Sequence, residues 1–104
     1  MKIVVKKVGQ RPEFKEIKNE LGEFQKIVGG YIQAFQVLDN VLCVCNEEGK
    51  LMELEPNFIF NRDIIVGDVF FCAAGEEDFE SLNPEQVEMI MTLLDLFELR
   101  KIKD

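Results

Sequence analysis

The chain has 104 residues, 47% of them hydrophobic, with a net charge of −8 and no histidine. That length and apolar content fit one domain with one core and leave no room for a second. The charge is unevenly spread, with a net basic stretch over residues 1–30, a strongly acidic block over 31–99 and a short basic end, so the central block repels nucleic acid phosphates and anionic membrane.

In chain order, Ile3, Val4 and Val5 form a β-branched run that Val8 extends before the breaker cluster Gly9-Gln10-Arg11-Pro12, which predicts a strand and then a turn. Phe14–Ile17 is either a returning strand or the first turn of a helix, and the strand is preferred. Asn19 is an expected N-cap, after which Leu21, Phe24, Ile27 and Val28 recur at helical spacing and Gly29-Gly30 close a helix of about ten residues. From Tyr31 to Cys45 the alternation predicts a hairpin turning at Asp39-Asn40. Asn46-Glu47-Glu48-Gly49 is a second turn, leading into Lys50–Leu54. Pro56-Asn57 and Asn61-Arg62-Asp63 punctuate an expected loop around Phe58-Ile59-Phe60.

Ile64–Ala73 is the strongest strand candidate, with Ile64–Phe71 expected inside the sheet and a bulge or bend at Gly67-Asp68. Asn83, Pro84 and Gln86 have the pattern of a capping box at N-cap, N1 and N3. The helix they open is expected to run to about Leu99, with Arg100 and Lys101 complementing its dipole. The whole is predicted to be one α+β domain over residues 1–104, a mainly antiparallel sheet of four to five strands with two helices. Its expected core is Ile3, Val5, Leu21, Phe24, Ile27, Ile32, Val44, Ile65, Val69, Phe71, Ile90, Leu94 and Phe97.

The inventory of reactive groups is thin. Without histidine, and with one serine (Ser81), one threonine (Thr92) and one tyrosine (Tyr31), the usual pairing of nucleophile and base is missing, so an enzyme is not expected. Cys43, Cys45 and Cys72 lie in apolar runs that raise a thiol pKa, and they are read as free core thiols. A structural zinc needs four Cys/His ligands where three cysteines exist. The Glu76-Glu77-Asp78-Phe79-Glu80 run lacks the ligand alternation and central Gly of a calcium loop. No glycine motif for phosphate is present, so no cofactor is expected.

The first residues lack the apolar run of about 7 to 15 that a secretory signal requires, and no stretch approaches a membrane span, so a cytoplasmic protein is expected. In the last helix Val87, Ile90, Met91, Leu94 and Phe97 make one apolar stripe. Met89, Leu93 and Leu96 widen it, consistent with core packing or with a homodimer contact.

Function is expected to lie in binding. Turn residues held on a sheet commonly carry recognition, which points to Tyr31, Asn46, Glu47, Glu48, Lys50, Pro56 and Asn57 as partner-binding residues for a protein, one of basic character. The alternative is a nucleic acid mimic presenting Glu47, Glu48, Glu53, Glu55, Glu76, Glu77, Asp78 and Glu80 in place of phosphates.

Four ordered motifs, Gly29-Gly30-Tyr31-Ile32-Gln33, Asn46-Glu47-Glu48-Gly49-Lys50-Leu51, Pro56-Asn57 and Asp63-Ile64-Ile65-Val66-Gly67, carry a family resemblance. Over roughly residues 1–90 the chain resembles a domain-of-unknown-function family of Gram-positive bacteria, their phages and mobile elements. Members often have a basic residue after the Pro-Asn pair and Thr after the Asp-x-Ile-Val-Gly motif, where this chain has Phe58 and Asp68. The resemblance implies a genomic setting in which small acidic proteins act as antagonists or regulators of host machinery; it implies no activity.

Overall fold

A computed structural model describes the backbone of residues 1–102 and the side chains of residues 1–96. The elements in order are β1 (Lys2–Lys6), β2 (Glu13–Glu16), α1 (Leu21–Val28), β3 (Ile32–Leu38), β4 (Val41–Asn46), β5 (Pro56–Phe60), β6 (Asp63–Val66), β7 (Val69–Ala74), β8 (Phe79–Glu80) and α2 (Pro84–Ile102). Six strands form one sheet in the order β2-β1-β7-β4-β3 with β8 added to β7, and β5-β6 form a separate two-stranded sheet. Every pairing is antiparallel. The chain is thus α+β with two helices and a mainly antiparallel sheet, one strand larger than the upper expectation and joined by a second small sheet.

Strand alternation splits the core in two, because successive side chains point to opposite faces. On one face Ile3, Val5, Val44, Phe70 and Cys72 pack with Phe24 and Val28 of α1. On the other Val4, Val41, Cys43, Val69 and Phe71 pack with Phe58 and Ile65 of the small sheet and with Ile90 and Leu94 of α2. Both faces of β7 are therefore covered, which is why its sequence is a continuous apolar run.

Local signals explain several boundaries. Asn83 and Gln86 exchange hydrogen bonds, each backbone N–H donating to the other's side-chain oxygen at 2.8 Å, so the capping box is formed. Gly29 ends α1 with φ 80 and donates to the Gln25 carbonyl at 2.8 Å, a left-handed conformation that glycine adopts without Cβ strain. Phe14–Glu16 is strand, paired with β1.

Other expectations are corrected. The N-cap of α1 is Glu20 without a side-chain bond, because the Asn19 amide donates to the Phe79 carbonyl instead. Leu21 is 57% exposed; an eight-residue helix reaches the sheet through its Phe24–Val28 pair, and Phe79 packs against Phe24 at 5.4 Å. Ile27 and Ile32 are only partly buried. Phe58-Ile59-Phe60 is strand rather than loop, turned by Asn61 and Arg62, both with positive φ.

The expected strand Ile64–Ala73 is two strands in two sheets. The break falls at Gly67, whose φ of 78 favours glycine and where an added Cβ would come within 2.7 Å of Leu54 Cδ1 and force that side chain to shift. Phe97, Arg100 and Lys101 lie outside the described side chains.

Candidate functional site

The turn after β4 is built on Asn46, which is 5% exposed. Its Oδ1 accepts from the Glu48 N–H at 2.7 Å, and its Nδ2 donates to the Val28 carbonyl at 3.2 Å. One amide thereby shapes the turn and satisfies a carbonyl left open at the end of α1. Glu47 N–H donates to the Tyr31 carbonyl at 2.8 Å, which sets the acidic turn beside the start of β3. Lys50 Nζ reaches Asp63 Oδ1 at 2.6 Å and ties the turn to β6.

Between these elements lies a cleft of about 270 Å³ whose walls include Gln33, Phe35, Cys45, Glu48, Leu51 and Ile64. Of its walls, Leu51 (85%) and Ile64 (47%) are strongly exposed for apolar side chains, and outside its lining Tyr31 (65%) and Met52 (50%) are exposed as well. Glu47, Glu48 and the Lys50–Asp63 pair rim them. An exposed apolar group with a charged rim has the composition of a protein contact surface.

The structure therefore brings together Tyr31, Glu47, Glu48 and Lys50. It turns two other expected contact residues inward. Asn46 serves the turn, and Asn57 is fully buried. The Asn57 amide donates to the carbonyls of Lys6 (2.9 Å) and Gly67 (2.8 Å), and its Oδ1 accepts from the buried Lys6 Nζ at 3.0 Å. Both asparagines are framework and cannot present their amides to a partner. Pro56 is exposed but does not line the cleft.

Leu51, Met52 and Ile64 were not expected in the site. The available signal was an apolar pair, Leu51-Met52, placed directly after a Gly-Lys turn with acidic residues on both sides. On the outer side of α2, Met89 and Leu96 are 48% and 49% exposed while Leu93 is partly buried. A hollow of about 530 Å³ there is lined by Leu38, Glu85, Glu88, Met89, Thr92 and Leu93.

The thiols are poorly placed for nucleophilic chemistry. Burial pushes Cys72 up to about 12. Burial also raises Cys43 well above its ordinary value, with Cys45 and Cys72 adding to the effect. Cys45, in the cleft, is raised by burial and by the Asp63 carboxylate. A thiol held protonated is a weak nucleophile and a weak metal ligand. Among the described residues no three His, Cys, Asp or Glu side chains converge as a metal site, and no helix is long and apolar enough to cross a membrane.

Residues 1–97 match the family described as Domain of unknown function (DUF3846). The chain belongs to that family. No curated protein and no solved structure matches it. The two positions where this DUF3846 domain differs from the resembled pattern are both occupied structurally. Phe58 is 1% exposed and packs on Phe71 at 6.1 Å, and Asp68 Oδ1 accepts from the Val8 N–H at 2.9 Å.

Proposed function

We propose that this domain is a non-enzymatic, cytoplasmic binding or regulatory protein of the phage and mobile-element setting that its family resemblance implies. It acts by contacting a basic protein partner through Tyr31, Glu47, Glu48, Lys50, Leu51, Met52 and Ile64. The observation that carries this reading is the cleft in which the exposed Leu51 and Ile64 side chains lie with the Glu47-Glu48 turn, beside Tyr31, whose carbonyl accepts from the Glu47 N–H. The absence of histidine and the upward-shifted thiols support a role without covalent chemistry.

Protein binding is preferred to nucleic acid mimicry because the carboxylates fall in two separate loops. Glu47, Glu48, Glu53 and Glu55 follow β4, whereas Glu76, Glu77, Asp78 and Glu80 lie at the opposite end of that strand, where Val41 pairs with Ala73. A six-residue strand places these groups roughly 17 Å apart, with no charged residue of β4 between them.

Replacing Glu47 and Glu48 together by Lys is expected to leave the melting temperature nearly unchanged, since exposed charges contribute little to stability. Capture of partners from lysate is expected to fall in this variant, and to fall in the wild type as salt rises. An unchanged set of captured proteins with unchanged salt dependence would refute the reading.

A further inference from the structure

The main sheet ends on β3, and among the described residues no strand pairs with its outer side. The register fixes which groups face outward. Glu47 N–H bonds to the Tyr31 carbonyl, and Tyr31 and Glu47 continue the register in which Gln33 faces Cys45 and Phe35 faces Cys43. In an antiparallel ladder hydrogen-bonded pairs alternate with non-bonded ones. Gln33 and Phe35 therefore bond to β4, while Ile32, Ala34 and Gln36 direct their N–H and C=O groups away from the sheet. β3 is seven residues long and contains neither a charged residue nor proline, the devices that ordinarily block strand addition. Its one irregularity, between Gln36 and Leu38, leaves the regular stretch Ile32–Gln36 intact.

Two hollows adjoin this edge. The cleft at the Tyr31 end takes Gln33 and Phe35 of β3 as walls and adds Leu51, Ile64, Glu47 and Glu48. The hollow at the other end takes Leu38 and adds Met89, Leu93, Glu85 and Glu88. Each combines an apolar wall with paired carboxylates, a match for the apolar stem and cationic head of lysine or arginine.

We propose that the β3 edge receives an extended, basic segment of a partner protein as an added strand, with basic side chains entering these acidic hollows; this rests on the partner-binding reading above. Strand addition draws affinity from main-chain hydrogen bonds and specificity from pockets for alternate side chains. A second copy of this chain is disfavoured as the occupant. Two-fold antiparallel pairing of β3 would set the Asp39 end of one copy against the Glu47-Glu48 end of the other, carboxylate against carboxylate.

The test uses the full chain, labelled for amide-resolved hydrogen exchange, and synthetic peptides of alternating lysine and valine or of alternating glutamate and valine. The lysine peptide is expected to protect the Ile32, Ala34 and Gln36 amides, and the glutamate peptide to protect none. Ala34→Pro removes an outward N–H, a substitution that edge strands tolerate, and is expected to weaken binding roughly tenfold, as is N-methylation of alternate peptide amides. The N-methylated peptide keeps the result interpretable if the proline variant folds poorly.

Binding of the lysine peptide with no protection at those three amides and no effect of N-methylation would overturn strand addition while leaving the acidic surface as a binding site. Concentration-dependent protection without peptide would assign the edge to a second copy and also overturn the proposal. Failure of the underlying reading shows separately, as lysate capture indifferent to reversal of Glu47 and Glu48.

Discussion

The two edges of the main sheet are built on different chemistry. β2 is four residues long, three of them charged (Glu13, Lys15 and Glu16), and every one is exposed. By the register that puts Ile17 N–H on the Met1 carbonyl, its outward backbone groups belong to Phe14 and Glu16. β3 is longer and uncharged, with Phe35, Val37 and Leu38 packed against the core. Short, charged edges resist pairing with other chains, and long uncharged ones invite it. A chain with charge to spare thus guards one edge and leaves the other open, its carboxylates placed beyond the ends of β3 and not on it.

The difference depends on what lies against β3. The β5-β6 hairpin supplies one wall of the cleft, with Phe60 packed on Phe35 at 5.9 Å, and Asn57 fixes that hairpin to β1 and to the Gly67 bend. The largest effect expected is therefore from Asn57→Ala, which removes its buried hydrogen bonds to Lys6 and Gly67. The expected loss is about 2 to 3 kcal/mol in urea unfolding. In the folded variant, hydrogen exchange should rise along β5-β6 and at Gln33 and Phe35 of β3, more than along β2. Equal loosening at both edges would mean that the hairpin has no particular bearing on β3.

A smaller effect sharpens the same contrast. The hydrogen bond from Lys50 is the leading cause that lowers the Asp63 pKa below its ordinary 3.8. A carboxylate whose folded pKa is depressed stabilises the fold above its unfolded pKa and loses that contribution as pH falls through the folded value. The tie between the 46–51 turn and β6 is thus intact at neutral pH and is lost only as pH falls through a folded pKa that lies below 3.8. Because both partners are well exposed, Lys50→Ala should barely move the melting temperature at neutral pH. It should move the midpoint of the acid-induced chemical-shift change at Ile64 upward, because the leading cause that lowers the Asp63 pKa is gone while the Ile64 backbone bond remains; an unaltered midpoint would show that Lys50 does not set it.

Where a structural signal was local, the sequence displayed it. The α2 capping box needs only Asn83 and Gln86, and the Gly29 cap needs only a glycine after an apolar helical run. The hairpin at Asp39-Asn40 was legible for the same reason, with Asn40 at φ 59. The β5-β6 hairpin was not, because its strands are short and its turn is Asn61-Arg62, without glycine. Ile64–Ala73 reads as one strand because both halves are apolar in sequence although they lie in different sheets, and only the backbone at Gly67 separates them. In the site, Glu47, Glu48 and Lys50 line one cleft and the Glu47 N–H bonds to the Tyr31 carbonyl. Asn46 and Asn57 have the composition of exposed turn residues, yet an asparagine amide serves equally well to satisfy buried carbonyls, and only tertiary contacts decide between the two.

Whether β3 is an open edge can be read from amide-resolved hydrogen exchange in the dilute, unliganded protein. Exchange should alternate along the strand, slow at Gln33 and Phe35, which bond to β4, and fast at Ile32, Ala34 and Gln36. Uniformly slow exchange from Ile32 to Gln36 would show that the outer side of β3 is already covered, and would contradict an open edge.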